Sequence, residues 1–250
     1  MHVLSYNDYL AVLWFLVAWF GFSFIADVSP LHKRTLAGHM ENYRRAWMLS
    51  MSARRNRIFD SNIMGGLQQG TAFFASTALL AIGGTLALLD STETILRVAG
   101  DLDLPVEQSR TLWEIKVLGL TLILAYAFFK FSWAYRLFNY TSIIMGSVPE
   151  TEYADPEQSR TFALKAAELN IIAGRHFNRG QRAFFFAIGF LGWFAGPIVL
   201  GIATLAVLIV LARRQFMSNS KSLVMEANPL AFLDAATQKP RPSNPTPEDD

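Results

Sequence analysis

The chain has 250 residues, 52% of them hydrophobic and only 17% charged, with a formal net charge of +2. That charged fraction lies below the ~25% usual for soluble domains, and so even a balance gives no reason to expect a nucleic-acid partner. There is no cysteine, which excludes disulfides, thiol nucleophiles and cysteine-held metal.

The first apolar run covers 9–26 and is preceded by no Lys or Arg. A secretory signal needs a basic start and small residues before its cleavage point, whereas Phe24 and Ile25 stand near the end of this run. An uncleaved first span is expected, stopped by Asp27, Ser29 and Pro30. Residues 31–62 then carry Lys33, Arg34, Arg44, Arg45, Arg54, Arg55 and Arg57 against Glu41 and Asp60. Leu36, Met40, Tyr43, Trp47 and Met51 recur at helical spacing, so an amphipathic helix is expected. It either lies on an anionic leaflet, with Lys33, Arg44, Arg45, Arg54 and Arg55 at the headgroups, or packs on the bundle with its arginines obeying topology.

A second span is expected over 65–89. Gly66, Gly70, Thr77, Ala81 and Gly84 fall near one face, broken by Phe73. Small residues let another helix approach closely, either within the bundle or from a second copy. A third span is expected over 115–138. Asp155-Pro156-Glu157 reads as a helix start, with a capping Asp, Pro at the first helical position and acid in the first turn. A second amphipathic helix follows, with Phe162, Ala166, Leu169, Ala173 and Phe177 along its apolar stripe. The fourth expected span is 183–212, thirty residues without an ionisable or amide side chain. At 1.5 Å per residue such a helix is about 45 Å long, more than the ~30 Å hydrocarbon core requires. Gly196-Pro197 near its middle predicts a kink. Residues 215–250 form a polar tail, whose composition predicts disorder from about 239.

Charge sets the expected topology. The connections 27–62 and 147–182 carry seven and five Lys/Arg, against two between spans two and three. The long basic loops are therefore expected on the cytoplasmic side of a plasma (inner) membrane, with both termini outside. Arg213, Arg214 and Lys221 object, since they would follow span four on the outer side. Either the run tilts and snorkels its ends, or it dips and returns, placing the tail inside. One kinked span is expected, because thirty residues are too few for two full crossings.

Lys130 and Arg136 are the ionisable residues of the third span, and such groups are functional candidates. They lie six residues apart and so on different faces, whereas Ser132, Arg136 and Asn139 share one. One reading is a buried cationic site for an anion or a lipid phosphate. The other is snorkelling, or an ion pair such as Arg136 with Asp60. No Asp or Glu falls within an expected span, which speaks against a proton- or sodium-coupled carrier. The four histidines show no metal-binding spacing, no cofactor motif occurs, and nothing argues for an enzyme.

The stretch Arg54-Arg55-Asn56-Arg57-Ile58-Phe59-Asp60-Ser61-Asn62, with Phe73-Phe74-Ala75-Ser76-Thr77 after it, resembles the domain-of-unknown-function 599 family of multi-pass membrane proteins. Phe131-Ser132-Trp133, Arg136 to Tyr140, and His176-Phe177-Asn178-Arg179-Gly180-Gln181-Arg182 through Trp193 and Gly196-Pro197 are similar to it as well. The resemblance implies membrane location and four spans, and it carries over no catalytic residue. Its polar positions Arg57, Asp60, Asn62, Arg136, Asn139, His176 and Arg182, together with Lys130, are expected near the cytoplasmic ends of the spans as a candidate cluster.

The expected fold is all-α, a four-helix transmembrane bundle over 1–214 with two amphipathic cytoplasmic helices and a disordered tail. The expected function is that of an oligomerising or partner-binding scaffold in the lipid bilayer, working as a homo-oligomer or with another membrane protein. The alternative is a subunit of an oligomeric channel or transporter, for anions through Arg136.

Overall fold

The structure is a computed structural model that describes residues 4–101, 109–149, 155–217, 219–225 and 229. The tail beyond 229, including the disorder expected from about 239, lies outside the described residues. Among the described residues the fold is all-α, with no strand.

Helix α1 (Tyr6–Asp27) opens on a capping box, in which the Asp8 backbone N–H donates to Ser5 Oγ (3.2 Å) and the Ser5 N–H to Asp8 Oδ2 (3.1 Å). A short 3₁₀ turn, Pro30–Arg34, leads through Thr35 to α2 (Leu36–Ser52). Helices α3 (Ile58–Asp90), α4 (Thr92–Asp101) and α5 (Arg110–Ser147) follow, then α6 (Pro156–Leu191), α7 (Pro197–Phe216) and a short α8 (Asn219–Met225). Four of these, α1, α3, α5 and α7, are long and apolar enough to cross a membrane. The expected spans 9–26, 65–89 and 115–138 fall inside α1, α3 and α5, each helix running beyond the apolar stretch.

Helix α5 is the central column, packed on α3 along one side and on α6 along another. Its Ala127, Phe131 and Ala134 are fully buried. Small residues bring α6 close: a Cβ at Gly180 would stand 2.7 Å from the Phe131 ring. Phe131 is held in turn by Phe74, Phe177 and Phe184, with ring centroids 5.3 to 5.6 Å away. A second aromatic cluster joins α1 to α6 through Phe15, Trp19, Phe186 and Phe190. Below it, Met48 and Met51 of α2, Met64 of α3 and Ala166 and Ala173 of α6 form a separate apolar core.

The fourth expected span is corrected. Residues 183–212 are not one kinked helix. Their first part completes α6, which runs on unbroken from the Asp155 cap and Pro156, so no boundary falls at Arg182. A 3₁₀ turn, Gly192–Ala195, and Gly196 then reverse the chain into α7. Gly196 has φ +126° and ψ 164°, a region open to glycine alone. Pro197 starts α7 at a position where its missing N–H costs nothing. The two helices are antiparallel: Gly189 abuts Ala203 and Val207, while Phe185 lies under Arg214, 5.3 Å from ring centroid to guanidinium. The end of α7 therefore returns to the end of the bundle that holds Asp27, opposite the start of α1.

The opposite end of the bundle holds a pair absent from the expectations. Asp8 is 2% exposed and accepts from Trp193 Nε1 at 2.7 Å, while buried Lys116 stands 5.6 Å from the Trp193 ring. An acid does therefore lie within an apolar helix, because α1 begins at Tyr6 rather than at 9.

Candidate functional site

The expected polar cluster separates into three places. Asp60, fully buried in the first turn of α3, accepts from Trp47 Nε1 (2.7 Å) and Arg54 Nη1 (2.6 Å). Arg57 donates to the carbonyl of Val148 at 2.6 Å and to that of Met145 at 3.3 Å, tying the start of α3 to the end of α5. Asn62 is exposed. Trp47 and Arg54 close the α2–α3 connection into a clasp around the Asp60 carboxylate.

Arg136 and Asn139 occupy a second place. Arg136 is exposed on α5, donates Nε to Tyr140 Oη at 2.7 Å, and lies 5.9 Å from the Trp133 ring and 5.5 Å from that of Tyr140. It is not a buried cationic site, and it is not bonded to Asp60. Its aromatic flank is the arrangement expected of an arginine at a headgroup boundary.

The third place is the Asp27 end, where Arg182 and His176 of α6 and Lys130 of α5 meet residues that the sequence reading passed over. Asp27, last residue of α1, accepts at Oδ2 from Arg179 Nε (2.7 Å) and Arg182 Nη2 (2.5 Å). Arg179 and Arg182 can share one acid because three residues on a helix bring side chains to one face. Arg182 is only 7% exposed, and its Nε is buried without a partner. Lys130 lies 5.0 Å from the Tyr126 ring. Burial pushes the His176 imidazole down to about 4, with Lys130 and Arg179 nearby adding to the effect.

Beside Asp27 a second carboxylate joins the 3₁₀ turn, α2 and α6. Glu41 accepts from Arg175 Nε (2.7 Å) and Nη2 (2.9 Å), and from His32 Nε2 (3.0 Å). His32 Nδ1 donates to the Ala26 carbonyl at 2.7 Å. Burial acts to raise the Glu41 carboxyl, but hydrogen bonding and charge from Arg175, with His32, outweigh it and hold the group below the usual carboxylate range. Arg44 of α2 donates to the Asn170 side-chain oxygen. Asn170 is fully buried and donates in turn to Met64 Sδ at 3.2 Å. Burial holds the Arg44 guanidinium below its ordinary value, offset in part by Glu41.

These side chains surround a cavity of about 260 Å³, with Arg44, Arg175, Arg182 and Arg214 in its wall against Asp27 and Glu41. Of the cations expected at lipid headgroups, Lys33 and Arg55 are exposed. Arg44 faces this cavity, Arg45 pairs with Glu168 at 2.7 Å, and Arg54 serves Asp60. Asp27, Glu41, Arg175 and Arg214 were missed. Two sequence signals could have found the first: an acid ending an apolar run, and two arginines three apart on a later helix.

A face of α3 stands apart from all of this. The helix packs on α5, and on its far side Gly65, Gly66, Gly70, Gly83 and Gly84 have open space where a Cβ would sit. Gln69 is exposed among them, while its neighbour Gln68 turns inward and donates to Ser142 Oγ at 3.0 Å.

An all-helical chain with four helices able to cross a membrane, and with arginines gathered at one end, has the character of a membrane protein. The family described as protein of unknown function, DUF599, matches residues 10–220, and the chain belongs to it. No curated protein and no solved structure matches the chain.

Proposed function

We propose that this is a multi-pass protein of the plasma (inner) membrane that acts by assembly, the outer face of α3 docking a second copy of itself. The open glycines around Gln69 carry the reading. Each glycine inside a helix costs roughly 0.5–1 kcal/mol relative to alanine, and an amide turned to hydrocarbon without a partner costs more. A second α3 laid against this face offsets both, through close backbone approach and hydrogen bonding from Gln69. The connection holding Arg44 to Arg57 faces the cytoplasm in this reading, with the end of α7 beside it.

Native mass spectrometry from the source membrane tests the proposal. The intact chain is expected as a dimer, and Gly70→Ile with Gly84→Ile as a monomer of unchanged helix content. A monomeric unsubstituted chain overturns it.

A second reading, a subunit of an oligomeric channel or transporter for anions, draws its support from the arginines of the Asp27 end rather than from Arg136. It predicts anion flux into liposomes that Arg182→Gln reduces and Arg136→Ala leaves unchanged.

A further inference from the structure

We propose that the cavity between the end of α1, α2, α6 and the last turn of α7 binds a phosphate group, presented by a phospholipid headgroup or as the free anion. The inference is independent of assembly through α3.

Charge is the first argument. Arg44, Arg175, Arg182 and Arg214 line the cavity against Asp27 and Glu41. Both carboxylates are already engaged, Asp27 by Arg179 and Arg182 and Glu41 by Arg175 and His32. Arg44, whose guanidinium packs over Gly174, makes its hydrogen bonds to neutral oxygens of Asn170. Taking a cation out of water is costly unless an anion comes with it, and this site holds more cation than its own acids match.

Donor geometry is the second. A guanidinium has five N–H donors in a planar fork. Arg182 spends one nitrogen on Asp27 and leaves its Nε buried and unpartnered, on a side chain that is 8% exposed. Forks arriving from α2, α6 and α7 approach from different directions. A planar carboxylate cannot meet them all, whereas the tetrahedral oxygens of a phosphate can.

Size and setting are the third. The space, about 260 Å³, is small against the ~300–1,000 Å³ usual for whole ligands, so it suits a headgroup rather than a large metabolite. Its wall continues into apolar side chains, Phe22, Phe185 and Leu211, at the point where two apolar helices end. A lipid could place its phosphate among the arginines and its chains along α1 and α7.

The test uses the purified full-length chain. In detergent, thermal unfolding is followed with inorganic phosphate against chloride at matched ionic strength. In nanodiscs, phosphatidic acid in phosphatidylcholine is compared with phosphatidylcholine alone, and retained lipid is read by native mass spectrometry. Phosphate or phosphatidic acid is expected to stabilise the chain. Arg44→Gln and Arg214→Gln should each weaken that response about tenfold, the loss of one charged hydrogen bond, and Arg45→Gln, outside the cavity, should leave it unchanged. Arg214 is exposed, so its substitution keeps the experiment decisive even where Arg44→Gln disturbs the packing on Gly174. A response to inorganic phosphate assigns the free anion, and a response to phosphatidic acid alone assigns the headgroup. No stabilisation by either, or equal losses from Arg45→Gln and Arg214→Gln, overturns the proposal.

Discussion

Arg175 grips Glu41 with both edges of its fork, Nε on Oε1 at 2.7 Å and Nη2 on Oε2 at 2.9 Å, across 134 residues of sequence. It is one of two direct ionic ties between α2 and α6, the more exposed Arg45–Glu168 pair being the other. Charged hydrogen bonds contribute roughly 1.5–3 kcal/mol, so Glu41→Gln is expected to lower stability by about 2 kcal/mol. The pH sign follows from the depressed carboxyl. Its contribution is present above the ordinary glutamate value of 4.5 and is lost as pH falls through the lower folded value. Melting in detergent between pH 6 and pH 3 should show a steeper loss for the unsubstituted chain than for Glu41→Gln.

His176 titrates in a different window. Folded, its ring is held to about 4 against an ordinary 6.5, so the unfolded chain binds the proton more readily. Stability is then fully present above 6.5 and declines as pH falls toward 4. His176→Gln removes the titration, and its melting temperature should change less between pH 7.5 and pH 5 than that of the unsubstituted chain.

Asp27 is an acid on which two arginines depend. Removing one partner of a buried pair costs about 3–5 kcal/mol, because the remaining charge is stranded. Asp27→Asn is expected to show that loss in chemical or thermal unfolding, and Asp27→Glu to recover part of it.

Gly180 faces a ring with no room to move. A Cβ there meets three Phe131 atoms between 2.7 and 2.9 Å, and overpacking of this kind costs about 1–3 kcal/mol. Gly180→Val should melt lower than the unsubstituted chain, whereas Gly201→Ala, with open space at its Cβ, should melt at or above it.

Gly196 fails differently. Nothing lies near its would-be Cβ, yet Gly196→Ala must hold an L-residue at φ +126°, at a cost of about 1–3 kcal/mol. Loss of melting temperature in Gly196→Ala, with Pro197→Ala nearly neutral, would separate strain in the turn from loss of proline.

The helices were legible where composition changes sharply. Asp27 and Pro30 end α1, and the Asp155 cap with Pro156 starts α6 at the expected residue. The α6–α7 reversal was not, because thirty uniformly apolar residues look alike whether the chain runs straight or turns back. Only Gly196-Pro197 marked the spot, and a kink and a reversal share that signal. At the polar end, Arg182, His176 and Lys130 stand near Asp27, an acid that the sequence did not link to them, since Asp27 and Arg179 lie 152 residues apart. Arg136 stands apart from them on an exposed face, because depth along a helix says nothing about which way a side chain points.

The reversal at Gly196 has a practical corollary. Because α7 comes back, Gln215 lies in the wall of the arginine cavity, and α8 is fastened nearby where Tyr43 Oη donates to the Val224 carbonyl at 3.2 Å. A reporter fused just past Met225 would start against α2, the helix whose Arg44 lines the cavity, whereas one fused ahead of Ser5 would hang from the far pole beside Trp193. Labels on the two ends are thus not interchangeable, and the one at the rear can obstruct what it is meant to observe.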